Sequence, residues 1–330
     1  MSKTIAPARR AAVEWPTLGL AALIYGGFLG VTWFHAALPW WLTIALGAWF
    51  GAWQTSLQHE ILHGHPTRWR RLNHALARPS LVLWLPFDLY RRSHLAHHVD
   101  TRLTDPMEDP ESFYVTPAAW AAMGRTRRAV LWMLNTLAGR LLLGPARTMV
   151  ATFRTEAVQL ARGDARRWRD WPWHLLAVGA IAGWTFGICG MPVWEYLLGF
   201  AYFGTSLMLL RSFLEHQAVA AVPERTVVVD AELPFRLLFL NNNLHAVHHE
   251  RPRLAWYKLP ARYRAARDAY LARNGGYHYP GYAAIALRYL FRPKERPVHP
   301  LSRGAEETVP PETVEHRAPE RIEQQYAPAP

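Results

Sequence analysis

Trp40-Trp-Leu-Thr-Ile-Ala-Leu-Gly-Ala-Trp-Phe-Gly-Ala-Trp-Gln-Thr-Ser-Leu-Gln-His59-Glu-Ile-Leu-His63 begins as an uncharged apolar run and ends in two histidines four residues apart. A helix needs about 20 apolar residues to cross a bilayer, and residues at i and i+4 share one helix face. One helix is therefore expected to leave the membrane carrying a pair of imidazoles. The uncharged run starts further back, since no Asp, Glu, Lys or Arg lies between Trp15 and Gln58. That length holds two spans, about 17–34 and 40–57, joined by the turn His35-Ala-Ala-Leu-Pro39. A second run from Trp171 to Leu210 contains Glu195 as its only charged residue. It holds spans at about 173–188 and 193–210 around the turn Gly190-Met-Pro192. Trp15, Trp33, Trp40 and Trp41 fall near the inferred ends of the first hairpin, where amphipathic rings favour the interface.

Two further histidine groups follow, His94-Leu-Ala-His97-His98 and His245-Ala-Val-His248-His249. Each places imidazoles at i, i+3 and i+4 of a helix, able to point nitrogens at a common point. Neutral imidazole is a common ligand for iron, zinc, copper and nickel. A structural zinc site closes at four ligands, so eight clustered histidines indicate two metals. Cys189 is the single cysteine, which excludes a disulfide framework, a cysteine-held iron–sulfur cluster and cysteine-rich zinc sites. Of the other histidines, His35, His174, His278, His299 and His316 have no clustered partner. His65 turns to a different face from His63 and is at most a supporting residue; His74 has no assigned role.

The formal charge of +12, from 37 Lys+Arg against 25 Asp+Glu, is segregated rather than spread over a surface. That argues for a membrane protein and against a nucleic-acid partner. With four spans, the N-terminus, residues 59–171 and everything after 210 share one side. The two turns on the other side contain no Lys or Arg. All 37 basic residues then lie on the side that the positive-inside rule makes cytoplasmic. Every histidine cluster lies there too. Ser80-Leu-Val-Leu-Trp-Leu-Pro-Phe87 is apolar but too short to span, and reads as a re-entrant or interfacial piece. Residues 113–168 alternate apolar patches with arginines, as amphipathic helices on a membrane surface do. A helix is expected from Ala261 to Arg273. Residues 1–14 form a short basic tail with no cleavable signal peptide, and 301–330 a Pro- and Glu-rich disordered tail. The fold class is an all-α integral membrane protein. Four transmembrane helices in two hairpins, within a domain over 15–300, carry a cytoplasmic helical cap that bears the histidines.

These motifs, His59-x-x-x-His63, His94-x-x-His97-His98 and His245-x-x-His248-His249 with two hairpins between them, resemble the membrane fatty-acid desaturase superfamily, which includes the membrane hydroxylases. Asn241-Asn-Asn-Leu-His245-Ala-Val-His-His249 and the acidic loop Asp105-Pro-Met-Glu-Asp-Pro-Glu111 are similar to its bacterial acyl-desaturase branch. The resemblance implies two non-haem iron ions held by histidine, with O2 as co-substrate. It also implies His216 as a ninth ligand, beside His59, His63, His94, His97, His98, His245, His248 and His249. In some desaturases an asparagine four residues before that ninth ligand holds a metal-bound water; here that position is Ser212. Glu60, Asp100, Glu215 and Asn241 are candidates to orient ligand imidazoles from behind. The implied activity is desaturation of a fatty-acyl chain, with a hydroxylase on the same scaffold as the alternative. No CxxC run or fused haem domain is seen, so electrons would come from an external ferredoxin-type donor. A membrane metal-binding or transport protein is the competing class. It would place sites near the bilayer midplane, whereas these clusters fall past the span ends.

Overall fold

The computed structural model describes residues 13–301, so most of the basic tail and the acidic tail lie outside the described residues. Its first hairpin is α1 (Trp15–Trp33) and α2 (Trp40–Leu62). Pro16 in the first turn of α1 and Pro39 just before α2 supply backbone pre-set for a helix start. As expected, α2 runs on past the apolar stretch and carries His59, with His63 as its C-cap. From Gly51 to His63 every residue of α2 and its cap is buried.

Next come α3 (Arg70–Ala77) and α4 (Phe87–His97), the second carrying His94 and His97 with His98 as its C-cap. Between them residues 80–86 form a non-helical stretch that is buried among the helices rather than laid on a surface. Buried backbone needs internal partners, and side chains supply them. Tyr196 Oη donates to the Leu81 carbonyl at 2.8 Å, His174 Nε2 lies 2.8 Å from the Leu83 carbonyl, and Gln54 Nε2 donates to the Pro79 carbonyl at 2.7 Å.

The middle third holds α5 (Pro117–Ala121), α6 (Arg125–Leu134) and α7 (Leu137–Ala161). The second long hairpin follows. It consists of α8 (Ala165–Ala182) extended by a π segment to Ile188, then α9 (Val193–Tyr196), a second π segment (Leu197–Phe203) and α10 (Gly204–Ser212). Its second arm lies on α2 at a small-residue seam. A Cβ on Gly51 would come 2.6 Å from the Phe200 carbonyl oxygen, so this backbone approach requires glycine.

Among the described residues two helices, Trp15–Trp33 and Val193–Ser212, are long and apolar enough to cross a membrane. The count rises to three if α6 and α7, bent by 115° at their junction, form one broken span. The helices at the other two expected span positions, α2 and α8, fall short on apolarity. In α2 the physical reason is visible, because its polar residues Gln54, Thr55, Ser56 and Gln58 are buried against protein.

The last part contains α11 (Leu233–Leu238), α12 (His245–Glu250), α13 (Leu259–Ala265), α14 (Arg267–Arg273) and α15 (Tyr282–Tyr289). The single helix expected over Ala261–Arg273 is thus two, broken at Ala266, whose φ of −147° is not helical. Apart from isolated bridges, β structure among the described residues is a two-residue parallel pairing of Val228–Val229 with His278–Tyr279. That pairing anchors α12, because Ala246 N–H donates to the Val227 carbonyl at 3.0 Å and Asn243 Nδ2 to the Val229 carbonyl at 2.7 Å.

Candidate metal centre

The nine histidines singled out in the sequence come together in two groups. His59, His63, His94, His98 and His248 form one, and His97, His216, His245 and His249 the other; within each, one ligand atom per residue lies within 4.8 Å of the rest. The expectation that each HxxHH motif points at one place is corrected. On α4, His94 and His98 face the five-histidine group and His97 the four-histidine group; on α12, His245 and His249 face the four-histidine group and His248 the other. The reason is helical. Positions i and i+4 nearly eclipse, while i+3 and i+4 are separated by about 100°. Two neighbouring sites sharing two helices take one side chain or two from each.

In the four-histidine group every Nδ1 has an acceptor. His97 Nδ1 lies 2.9 Å from Asp109 Oδ1 and His249 Nδ1 3.0 Å from Asp100 Oδ1. His216 Nδ1 lies 3.3 Å from the Arg225 carbonyl, and His245 Nδ1 3.3 Å from Asn242 Oδ1 and 3.4 Å from Glu215 Oε1. An acceptor there is met by a proton on Nδ1, which turns Nε2 towards the centre as the atom able to ligate a metal. Those Nε2 atoms converge, His97 to His216 at 2.9 Å, His216 to His245 at 3.1 Å and His245 to His249 at 3.1 Å. Four buried imidazole nitrogens aimed at one point, each ring held from behind at Nδ1, are the kind of donor set a metal ion takes. The residues present therefore fit a metal.

The five-histidine group is similar at its centre. His94 Nε2 lies 3.0 Å from His98 Nε2, which lies 3.1 Å from His248 Nε2, and His59 Nε2 is buried with no hydrogen-bond partner. His94 has a carboxylate behind it, with Nδ1 3.2 Å from Glu111.

Electrostatics favour the neutral imidazole at seven of the nine histidines. Burial, reinforced by neighbouring imidazoles, holds His59, His94, His98, His216, His245 and His248 well below the ordinary imidazole pKa. Burial lowers His249 as well, against the pull of Asp100. Burial also disfavours charge on His97, yet Glu111 and Asp109 overcome it and raise that group to about 9.

Of the candidates to orient imidazoles, Asp100 and Glu215 contact His249 and His245, as stated above. Glu60 accepts from Trp256 N–H at 3.0 Å and lies 3.6 Å from His65 Nδ1, in a buried group with Glu14. Asn241 is corrected to its neighbour. With a left-handed φ of 58°, Asn241 turns its Nδ2 to the Trp256 carbonyl at 3.1 Å, while Asn242 reaches His245 and donates to Glu215 at 3.2 Å. Sequence reasoning missed Asp109 and Glu111 as partners of His97 and His94, although the acidic loop that holds them was noticed. Ser212 donates to the Leu209 carbonyl at 3.4 Å.

No curated protein matches the chain. Residues 32–281, which include all nine histidines, match the family described as fatty acid desaturase. With its apolar helices and histidine groups able to hold metal, the chain belongs to the fatty acid desaturase family of oxidoreductases.

Proposed function

We propose that the protein is an O2-dependent di-iron desaturase that introduces a double bond into a fatty-acyl chain, with electrons from an external ferredoxin-type carrier. The observation that carries this is the pair of histidine groups built from shared helices in a member of this family. His59, His63, His94, His98 and His248 would hold one iron, and His97, His216, His245 and His249 the other. Iron bound there supplies the redox chemistry that activates O2 for removing hydrogen from an unactivated C–H bond.

The chain's own residues have definable roles. Asp109, Asp100, Glu215 and Asn242 keep the proton on Nδ1 and aim Nε2 inward. Apolar side chains such as Trp84, Leu89 and Phe213, lining a cavity that also meets His97 and His216, exclude water from the reacting chain. In this reading α1, α2, α8 with its extension, and α9 with α10 are four spans of a bacterial inner membrane, with the histidines on the cytoplasmic side. The uncharged runs and the one-sided basic residues support it. Exposed Arg251, Arg264, Arg267 and Arg273 on α12 to α14 favour an acidic carrier.

The test is incubation of the iron-loaded protein with a reduced ferredoxin, an acyl lipid and labelled O2, followed by mass spectrometry of the lipid. Loss of two hydrogens without label in the product is expected. Label retained in the product makes the protein a hydroxylase on this scaffold, and no oxidised product removes the reading.

A further inference from the structure

After the segment that carries His216 and α12, the chain returns to the long helices through α15. One face of α15 belongs to the core. Tyr282, Ile285 and Tyr289 are buried, and the Tyr289 ring centre lies 6.1 Å from that of Phe213, the C-cap of α10. The opposite side is apolar but uncovered. Leu287 is 91% exposed and Phe291 81%, with exposed Leu290 between them. Leu290 keeps helical backbone, φ −51° and ψ −50°, so positions 287, 290 and 291 lie together at helical spacing. Exposed Arg288 and Arg292 flank them. Large apolar side chains grouped on a surface mark a place that meets a partner or a membrane.

The position of this patch says what covers it. Ala138 N–H donates to the Leu290 carbonyl at 2.9 Å, which ties the end of α15 to the first turn of α7. One turn further on, α7 lies against α10. Ser206 Oγ donates to the Leu141 carbonyl at 2.6 Å, and a Cβ on Gly144 would come 2.7 Å from Leu209 Cδ1. Ser206 lies inside the helix Val193–Ser212, which is apolar enough to cross a membrane, at roughly 9 Å from its end for a rise of about 1.5 Å per residue. The start of α7 is thus level with the apolar part of that helix, and it turns exposed Leu142 and Leu143 outward there. Leu287, Leu290 and Phe291 continue this apolar rim at the same end of the helices. Leucine and phenylalanine on one side with arginines beside them is the composition of a helix that lies in a membrane interface. Arginines there suit anionic headgroups.

We infer that the end of α15 is an in-plane membrane anchor, with Leu287, Leu290 and Phe291 dipping into the bilayer that the spans cross. The histidine-bearing part of the chain is then held to the membrane at both its ends, by α10 before it and by α15 after it. This rests on the reading of α9 with α10 as a span, because that reading sets the depth of α7.

The test places nitroxide labels on the full iron-loaded chain in vesicles of phosphatidylcholine and phosphatidylglycerol. Cys189 is the single cysteine, so Cys189→Ala gives a background for one label at a time. Leu287→Cys and Phe291→Cys carry labels on the patch, where exposure leaves the core intact. Leu197→Cys, exposed within the span, is the lipid reference. Met107→Cys is the water reference, because Met107 is 81% exposed like Phe291 but lies in the acidic loop between Asp105 and Glu108. Electron paramagnetic resonance then reads the extra relaxation caused by O2, which concentrates in hydrocarbon, and by a neutral nickel chelate, which stays in water. The labels at 287 and 291 should respond more to O2 than to the chelate, as at 197, and the label at 107 the reverse. A response to the chelate at 287 and 291 equal to that at 107 overturns the inference. So does dipolar broadening at 287 and 291 that disappears on dilution with unlabelled protein, since a second copy of the chain would then cover the patch. A water-like response at 197 with lipid-like responses at 287 and 291 removes the span reading and keeps the anchor. The opposite pattern keeps the span and removes the anchor.

Discussion

The five-histidine group takes its ligands from α2, α4 and α12, and Glu111 lies behind His94. The four-histidine group has three ligands on α4 and α12 and a fourth, His216, on the segment after α10, and every one of its Nδ1 atoms meets an oxygen. It also borders the cavity, through His97 and His216. The contrast shows two ways to fix an imidazole. Within the fully buried end of α2, helix packing holds His59. A ligand such as His216 lies outside any helix, and depends on a hydrogen bond, a backbone bridge to Thr226 and its carbonyl accepting from Lys294 at 2.6 Å.

If both groups hold metal, the largest effect comes from deleting a ligand in either one. His248→Ala and His245→Ala should each bring turnover below about one hundredth of the wild type, beyond the loss typical of an outer partner. Metal analysis should show that each variant still inserts and loses metal. Full activity in either variant removes that histidine from the centre.

A smaller effect separates the two kinds of support. Asp109→Asn, at a buried carboxylate beside His97, should lower activity about 10- to 100-fold. Asp100→Asn should cost only a few-fold, because the Asp100 side chain is 53% exposed and its hydrogen bond competes with water. Equal losses in the two variants would mean that burial of the outer carboxylate is not what matters.

The pH dependence of the metal-free protein follows from the lowered histidines. Their folded pKa values lie below the unfolded value of about 6.5, so the unfolded chain binds more protons below that pH. Stability should therefore fall as pH drops through about 6.5. His97 works in the opposite sense: its raised value contributes stability that is lost as pH rises through about 9. Thermal melting of the chelator-treated protein between pH 5 and 8 should show Tm falling towards acid. A Tm that stays flat or rises towards acid contradicts the burial of these groups.

How much of this was legible beforehand follows from the physics of each feature. Uncharged runs and i, i+4 spacing are local, so the hairpins and the eight clustered histidines stood out from composition and helix geometry. His216 carries no local spacing and was reached only through resemblance to a family. The division of each HxxHH motif between two groups needs the relative placement of α4 and α12, which no single stretch encodes. Asn242 rather than Asn241 was hidden because a left-handed residue reverses which of two neighbouring amides faces inward. Asp109 and Glu111 sit in a loop, where side-chain direction has no period to read.

The most direct measurement of the central claim counts iron in two double variants that remove the same number of ligands from one motif. His94→Ala/His98→Ala takes both from the five-histidine group, and His97→Ala/His98→Ala takes one from each. The account predicts that the first protein retains about one of two irons and that the second retains markedly less, since each of its groups is damaged. Equal iron in the two proteins would show that the motif serves a single site, and would contradict the division described here.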